Sequence, residues 1–73
     1  MTQGRHEMKK EIYYRKHKQP DYTKPASERK DGYRWAWKES WEVRVYGWAV
    51  SLDEIKQRAQ KMFPDHEIVL SLR

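Results

Sequence analysis

Ser51-Leu52-Asp53-Glu54-Ile55, continued by Ala59, Met62 and Phe63 and stopped by Pro64, is the stretch of this 73-residue chain that decides the fold. The Ser51 hydroxyl is placed to accept from the backbone N–H three residues on, and the Glu54 carboxylate to reach back, as in a capping box. Asp53 and Glu54 put negative charge at the positive end of the helix dipole. Leu52, Ile55, Ala59, Met62 and Phe63 then fall on one helical face, with Lys56, Gln57, Gln60 and Lys61 on the other. Proline disfavours helix in the residue ahead of it, so the helix is expected to end before Pro64.

On the C-terminal side of this helix, Ile68, Leu70 and Leu72 alternate with Val69 and Ser71, which predicts a last strand. On the N-terminal side, Tyr33, Trp35 and Trp37 alternate with Arg34, Ala36 and Lys38, and Trp41, Val43 and Val45 alternate with Glu42 and Arg44. A period of two is that of half-buried strands. Glu39-Ser40 is read as the reversal between these two strands, and a bulge at Gly47 as the cause of the phase shift to Trp48 and Val50. A strand, a helix and a second strand in one sheet form a right-handed crossover in nearly all cases, so the strand ending near Val50 is expected to run parallel to the last one. The prediction is an α+β, two-layer domain in the order strand-strand-helix-strand, with one helix on a three- or four-stranded sheet.

The N-terminal half differs in composition. Residues 1–34 hold ten Lys or Arg against five Asp or Glu, whereas residues 35–73 hold six of each, so the whole net charge of +5 sits in the first half. Residues 1–32 are therefore expected to be a flexible basic arm, and residues 33–73 the folded core. Within the arm, Glu11-Ile12-Tyr13-Tyr14-Arg15 has the composition to add a strand. Lys16 to Asp31 carries Pro20 and Pro25 without periodicity and reads as extended and mobile, and Asp31-Gly32 as the turn that introduces the core.

Function classes narrow quickly. There is no cysteine, hence no disulfide staple and no thiolate metal site. His6, His17 and His66 are scattered, no His pair has the spacing of a zinc site, and Gly4, Gly32 and Gly47 form no phosphate loop. An enzyme needs convergent titratable groups on a rigid scaffold, so neither catalysis nor a cofactor nor a metal is expected. The apolar runs are too short to span a bilayer, and the first residues lack the apolar region of a secretory signal. The chain is expected to be a cytoplasmic monomer.

Four Trp and five Tyr in so short a chain admit two readings. Trp35, Trp41 and Trp48 suit a small core that relies on large aromatics. Trp37 and Tyr46 are candidates for the sheet face that the helix leaves uncovered, where aromatic and Arg residues make binding hot spots. In the arm, Arg5, Lys9, Lys10, Arg15, Lys16 and Lys18, with Tyr13 and Tyr14 between them, form either a solvated tail or an adhesive strip for an acidic protein surface or a nucleic acid backbone. Sequence-specific DNA reading is disfavoured, because the acids of Leu52-Asp53-Glu54 would repel phosphate at the helix start, while non-specific nucleic acid contact stays open.

Val43-Arg44-Val45-Tyr46, then Ser51 to Ile55, then His66-Glu67-Ile68-Val69-Leu70 resembles the layout of small bacteriophage host-takeover proteins, in particular phage inhibitors of bacterial RNA polymerase. The length and the basic, tyrosine-containing N-terminus are similar to the Xanthomonas-phage type of transcription regulator, which inhibits initiation and allows readthrough of terminators. The resemblance covers about half the chain and carries no signature motif, so it transfers no individual residue. It implies a stoichiometric binder of host RNA polymerase in the bacterial cytoplasm, docked near the β′ N-terminal region and the β flap. Such a binder would block σ-dependent initiation and promote antitermination, with NusA as a further contact. The competing expectation is a nucleic-acid-binding accessory module or an inhibitor of a host nuclease or defence complex.

Overall fold

The computed structural model describes residues 8–73. Its elements run β1 (Lys9–Lys16), a 3₁₀ turn at Ala26–Glu28, β2 (Tyr33–Trp37), α1 (Lys38–Glu42), β3 (Gly47–Ala49), α2 (Leu52–Met62) and β4 (Glu67–Leu72). The four strands make one mixed sheet in the order β3-β2-β1-β4. The first three are antiparallel neighbours, and β4 runs parallel to β1. Strands β3 and β4 therefore point the same way from opposite edges, and α2 carries the chain between them across the sheet. This is the α+β architecture expected, with one main helix layered on a four-stranded sheet.

The core sits between α2 and one sheet face. Ile12 of β1, Trp35 of β2, Ala49 of β3 and Ile55 and Ala59 of α2 form its buried centre, ringed by Tyr14, Tyr33, Trp37, Leu52, Phe63, Ile68 and Leu70. The register explains the composition, since Ile12 lies opposite Trp37 on one side and Leu70 on the other, and Tyr14 opposite Trp35 and Leu72. The helix begins as its sequence requires: Ser51 Oγ accepts from Glu54 N–H at 3.2 Å. The Glu54 carboxylate reaches back to Val50 N–H at 3.0 Å, one residue before the cap itself. Glu54 also holds Arg58 at 2.6 Å.

Three expectations are corrected. First, the fold does not begin at residue 33. β1 is an interior strand with Ile12 fully buried toward the helix and Tyr13 only 8% exposed on the other face. Its charges lie mostly at its two ends, so a two-sided apolar centre is enclosed in a basic composition. Residues 17–32 continue the β1–β2 pairing, with His17 N–H donating to Gly32 O at 3.0 Å and Gln19 N–H to Lys30 O at 2.8 Å. The tip closes through the 3₁₀ turn and Arg29, whose Nε donates to Lys24 O at 3.0 Å.

Second, the predicted strand over Trp41, Val43 and Val45 does not form. Lys38–Glu42 is a helical turn instead, and β1 takes the place beside β2. A strand there would need a buried face, yet Val43 and Val45 are 68% and 59% exposed. The turn is closed by Val45 N–H donating to Ser40 O at 2.9 Å and by the Ser40 hydroxyl donating to Val45 O. Third, the phase shift is not a bulge at Gly47. It comes from the exit of α1, where Arg44 takes the left-handed conformation with φ 62°. Gly47 serves a close approach: a Cβ there would lie 2.6 Å from Trp35 Cε2.

Candidate functional site on the open sheet face

Strand alternation sends Glu11, Tyr13 and Arg15 of β1, Arg34 and Ala36 of β2, Trp48 of β3 and Val69 and Ser71 of β4 to the face away from α2. No helix of α2's length lies over that face, but α1 and the loop after it lean Trp41 and Tyr46 onto it. Trp41 is the centre of the cluster. Tyr13 meets it edge-on at 5.8 Å and 88°, and Tyr46 from another side at 5.3 Å and 87°. Edge-to-face contacts of this kind satisfy the ring quadrupoles and fix the orientation of all three rings.

Each ring is capped by an arginine from a different part of the chain. The Arg15 guanidinium lies 5.4 Å from the Trp41 ring, Arg34 4.7 Å from Tyr46, and Arg73 4.0 Å from Tyr13. These are cation–π distances. Arg73 is held in place by its backbone N–H, which donates to Tyr14 O at 2.7 Å as an extension of β4. Among the described residues, the ion pairs are Lys10–Glu39, Lys18–Asp31 and Glu54–Arg58, so none of the three capping arginines pairs with a carboxylate. The acid nearest in register, Glu11, accepts instead from the Ser71 hydroxyl at 2.5 Å. The result is three guanidiniums on a rigid aromatic bed, each with N–H donors uncommitted to any carboxylate among the described residues.

Beside this cluster, His17, Pro20, Tyr22, Arg34, Tyr46 and Trp48 line a recess of about 260 Å³. Trp48 is locked there by its Nε1–H, which donates to His17 O at 2.8 Å. A Cβ on Gly32 would run into the Trp48 ring and would lie 2.6 Å from Ala49 O. Arg29 stacks on Tyr22 at 4.8 Å at the rim. At one end of the sheet, Trp37, Ser40, Val43 and Val45 border a shallow apolar depression.

Of the residues nominated from sequence, the structure gathers Tyr13, Arg15 and Tyr46 in the cluster and places Lys9 exposed on the same face. Arg5 lies outside the described residues. Lys10 and Tyr14 face α2. Lys10 reaches Glu39 at 3.1 Å and lies 4.9 Å from the Phe63 ring, and Tyr14 packs edge-on against Tyr33 at 5.8 Å. Lys16 is exposed on the helix side, and Lys18 binds Asp31 at 3.0 Å. Trp37 also belongs to the helix side, where it meets Phe63 at 5.4 Å and 78°.

Arg34, Trp41 and Arg73 were missed. The signal for Arg34 was present, since alternation with Tyr33 and Trp35 places it on the uncovered face. The alternation of Trp41 with Val43 and Val45 points to a strand core, and the parallel register that brings Arg73 to Tyr13 has no local trace. Two acids, Glu39 and Asp21, are held below the ordinary carboxylate range. Glu39 is held there by a hydrogen bond from its own backbone N–H and by Lys10, and Asp21 by Thr23 through its hydroxyl and then its N–H. Among the described residues no three His, Asp or Glu side chains converge, and no helix is long and apolar enough to cross a membrane. No family model, curated protein or solved structure matches this chain.

Proposed function

We propose that this chain is a non-catalytic regulator that binds an acidic protein surface through the open face of its sheet. The observation that carries the proposal is the ladder of Arg15, Arg34 and Arg73 stacked on Trp41, Tyr46 and Tyr13 with no carboxylate partner among the described residues. Arg, Trp and Tyr are the residues that dominate binding energy at protein interfaces. A guanidinium already stacked on a ring loses little freedom on docking, and its planar fork matches a carboxylate in bidentate fashion.

The resemblance to phage transcription regulators supplies the partner in this proposal: host bacterial RNA polymerase, contacted near the β′ N-terminal region and the β flap. A stoichiometric plug at that position would block σ-dependent initiation in the bacterial cytoplasm and favour terminator readthrough, with NusA as a secondary contact. The test is capture of purified polymerase by the tagged chain after nuclease treatment. One-to-one binding that is lost when Arg15, Arg34 and Arg73 are together changed to Glu supports the reading. No binding to polymerase, or binding indifferent to the triple change, rejects it.

A second reading, a nucleic-acid-binding accessory module, is favoured by the recess between Tyr22, Arg34, Tyr46 and Trp48, whose lining suits a single unstacked base. The faces of the three ladder rings are less suited, because stacking of successive bases needs free ring faces and these are occupied by guanidiniums or by neighbouring rings. The two readings separate by salt. Phosphate contacts lose affinity linearly in the logarithm of salt concentration, with a slope set by the number of phosphates neutralised.

A further inference from the structure

The edge formed by β4 carries features of its own, independent of the open-face reading. Glu67 N–H donates to Met8 O at 2.9 Å and Arg73 N–H to Tyr14 O at 2.7 Å. Backbone groups alternate sides along a strand, so Glu67, Val69, Ser71 and Arg73 direct theirs to β1. Ile68, Leu70 and Leu72 direct theirs outward, where nothing among the described residues pairs with them. His66, which would continue the outward row, has its carbonyl taken by Gln60 Nε2 at 3.0 Å. The edge has no Pro, no Lys and no bulge, the usual devices that prevent strands from pairing at an edge. Leu72 is 72% exposed on it.

We propose that β4 pairs antiparallel with β4 of a second copy of this chain, about a two-fold axis through Leu70, to give a continuous eight-stranded sheet with both α2 helices on one side. The register follows from counting. A two-fold axis perpendicular to the sheet keeps side chains on their own faces, so residues of equal parity must pair. Centring on Leu70 gives Ile68–Leu72, Leu70–Leu70 and Leu72–Ile68 as pairs that each exchange both backbone hydrogen bonds. Among the described residues, moving the axis by one residue either way loses one of these pairs, because His66 is already engaged at one end and β4 runs no further than Leu72 at the other.

The side chains agree with this register. On the helix side, Leu72 of one copy covers Ile68 of the other. On the open side, Glu67 faces Arg73 of the other copy twice by symmetry, an opposite-charge cross-strand pair of the kind that stabilises a sheet. Arg73 can lie on Tyr13 and meet that carboxylate at once, since stacking uses the guanidinium face and ion pairing its edge.

The test is sedimentation equilibrium of the full chain alone over a wide concentration range, with circular dichroism as a check of folding. The mass should rise to that of two chains as concentration increases. Leu72→Pro removes an outward N–H that β1 does not use, so it should leave the fold intact and weaken the dimer at least about tenfold. Glu67→Arg and Arg73→Glu should each weaken it by a similar factor, and the two together should restore it. A single-chain mass at every concentration overturns the proposal, even if the chain binds an extended peptide at β4. So does a dimer that Leu72→Pro leaves unchanged, or one that single charge reversals weaken and the combined exchange fails to restore. Because the readout is the mass of the protein without any partner, failure here and failure of the open-face reading are distinguishable.

Discussion

The two faces of this sheet are both aromatic, and they use their rings for opposite purposes. Toward α2, Tyr14, Tyr33, Trp35, Trp37 and Phe63 pack ring against ring around Ile12 and Ile55, and Trp35 is left 5% exposed. One cation, Lys10, enters that side, and it is neutralised by Glu39 and laid over Phe63. On the other face, Tyr13, Trp41 and Tyr46 are capped by three arginines with no carboxylate partner among the described residues. Neighbouring residues such as Tyr13 and Tyr14 therefore belong to different systems, one to the arginine-capped cluster of the open face and one to the packing against α2. Residue type does not separate the roles here, and position parity in the strand does.

The sharpest way to break this comparison is to delete one indole from each face. Trp35→Ala removes the largest buried ring of the core and should cost about 3–5 kcal/mol, enough to unfold a marginal domain of this size. Trp41→Ala opens no comparable cavity, because its ring is only half-buried. It should cost less than about 2 kcal/mol in stability while weakening partner binding more than about tenfold. Urea titrations of both variants, with binding measured on whichever remains folded, check the pair. Equal stability losses would mean that the open face is core after all.

Next in size is Gly47→Ala. In an ordinary strand position alanine would be the better residue, but here its methyl group would lie 2.6 Å from Trp35 Cε2. The indole must move, and overpacking of this kind costs about 1–3 kcal/mol. The cooperative unfolding midpoint should fall accordingly, whereas a rise would show that the Trp35 ring has room to yield. The effect should leave the open face untouched, so binding per folded molecule should not change.

How much of this was legible beforehand follows from how local each feature is. The cap at Ser51, the apolar face of α2, the stop before Pro64 and the β4 alternation each depend on residues within a few positions of one another, and each appears in the structure. β1 was harder to place because an interior strand of only eight residues buries Ile12 on one face and Tyr13 on the other, which erases the alternation that marks a half-buried strand. The run from Trp41 to Val45 has that alternation and no sheet to join, because β1 already occupies the position beside β2. The candidate site was half visible for the same reason. Tyr13, Arg15 and Tyr46 could be nominated from charge and ring content, whereas Arg73 reaches Tyr13 only through the parallel β1–β4 register across most of the chain.

A smaller effect tests the loop that delivers Trp41 and Tyr46 to the open face. Arg44 has φ 62°, a region that strains any residue with a Cβ and suits glycine just past a helix end. Arg44→Gly should therefore be neutral or stabilising by up to about 1 kcal/mol, with glycine's greater freedom in the unfolded chain offsetting part of the relief. If thermal unfolding shows a loss instead, the Arg44 side chain holds the loop by a contact that outweighs the backbone strain.

The last and smallest contrast is electrostatic, and it separates the faces by where pH acts. Glu39 is held below the ordinary carboxylate range by its own backbone N–H first and by Lys10 second. A carboxylate whose folded-state pKa is lowered contributes stability that is fully present above its unfolded-state pKa and is lost as pH falls through the folded-state value. Glu39 is exposed, so the contribution is small and screened by salt. The unfolding midpoint of wild type should exceed that of Glu39→Gln at neutral pH, and the gap should close as the solution is taken below the carboxylate range. Among the described residues Arg15 and Arg34 lack such an internal acid, so changing them to Gln should leave the pH dependence of stability as it is. Their carboxylates, on the reading advanced above, belong to the partner, and acid should weaken the complex over the range where those groups protonate. A pH dependence of stability that moves with Arg15 or Arg34 and not with Glu39 would reverse the assignment of the two faces.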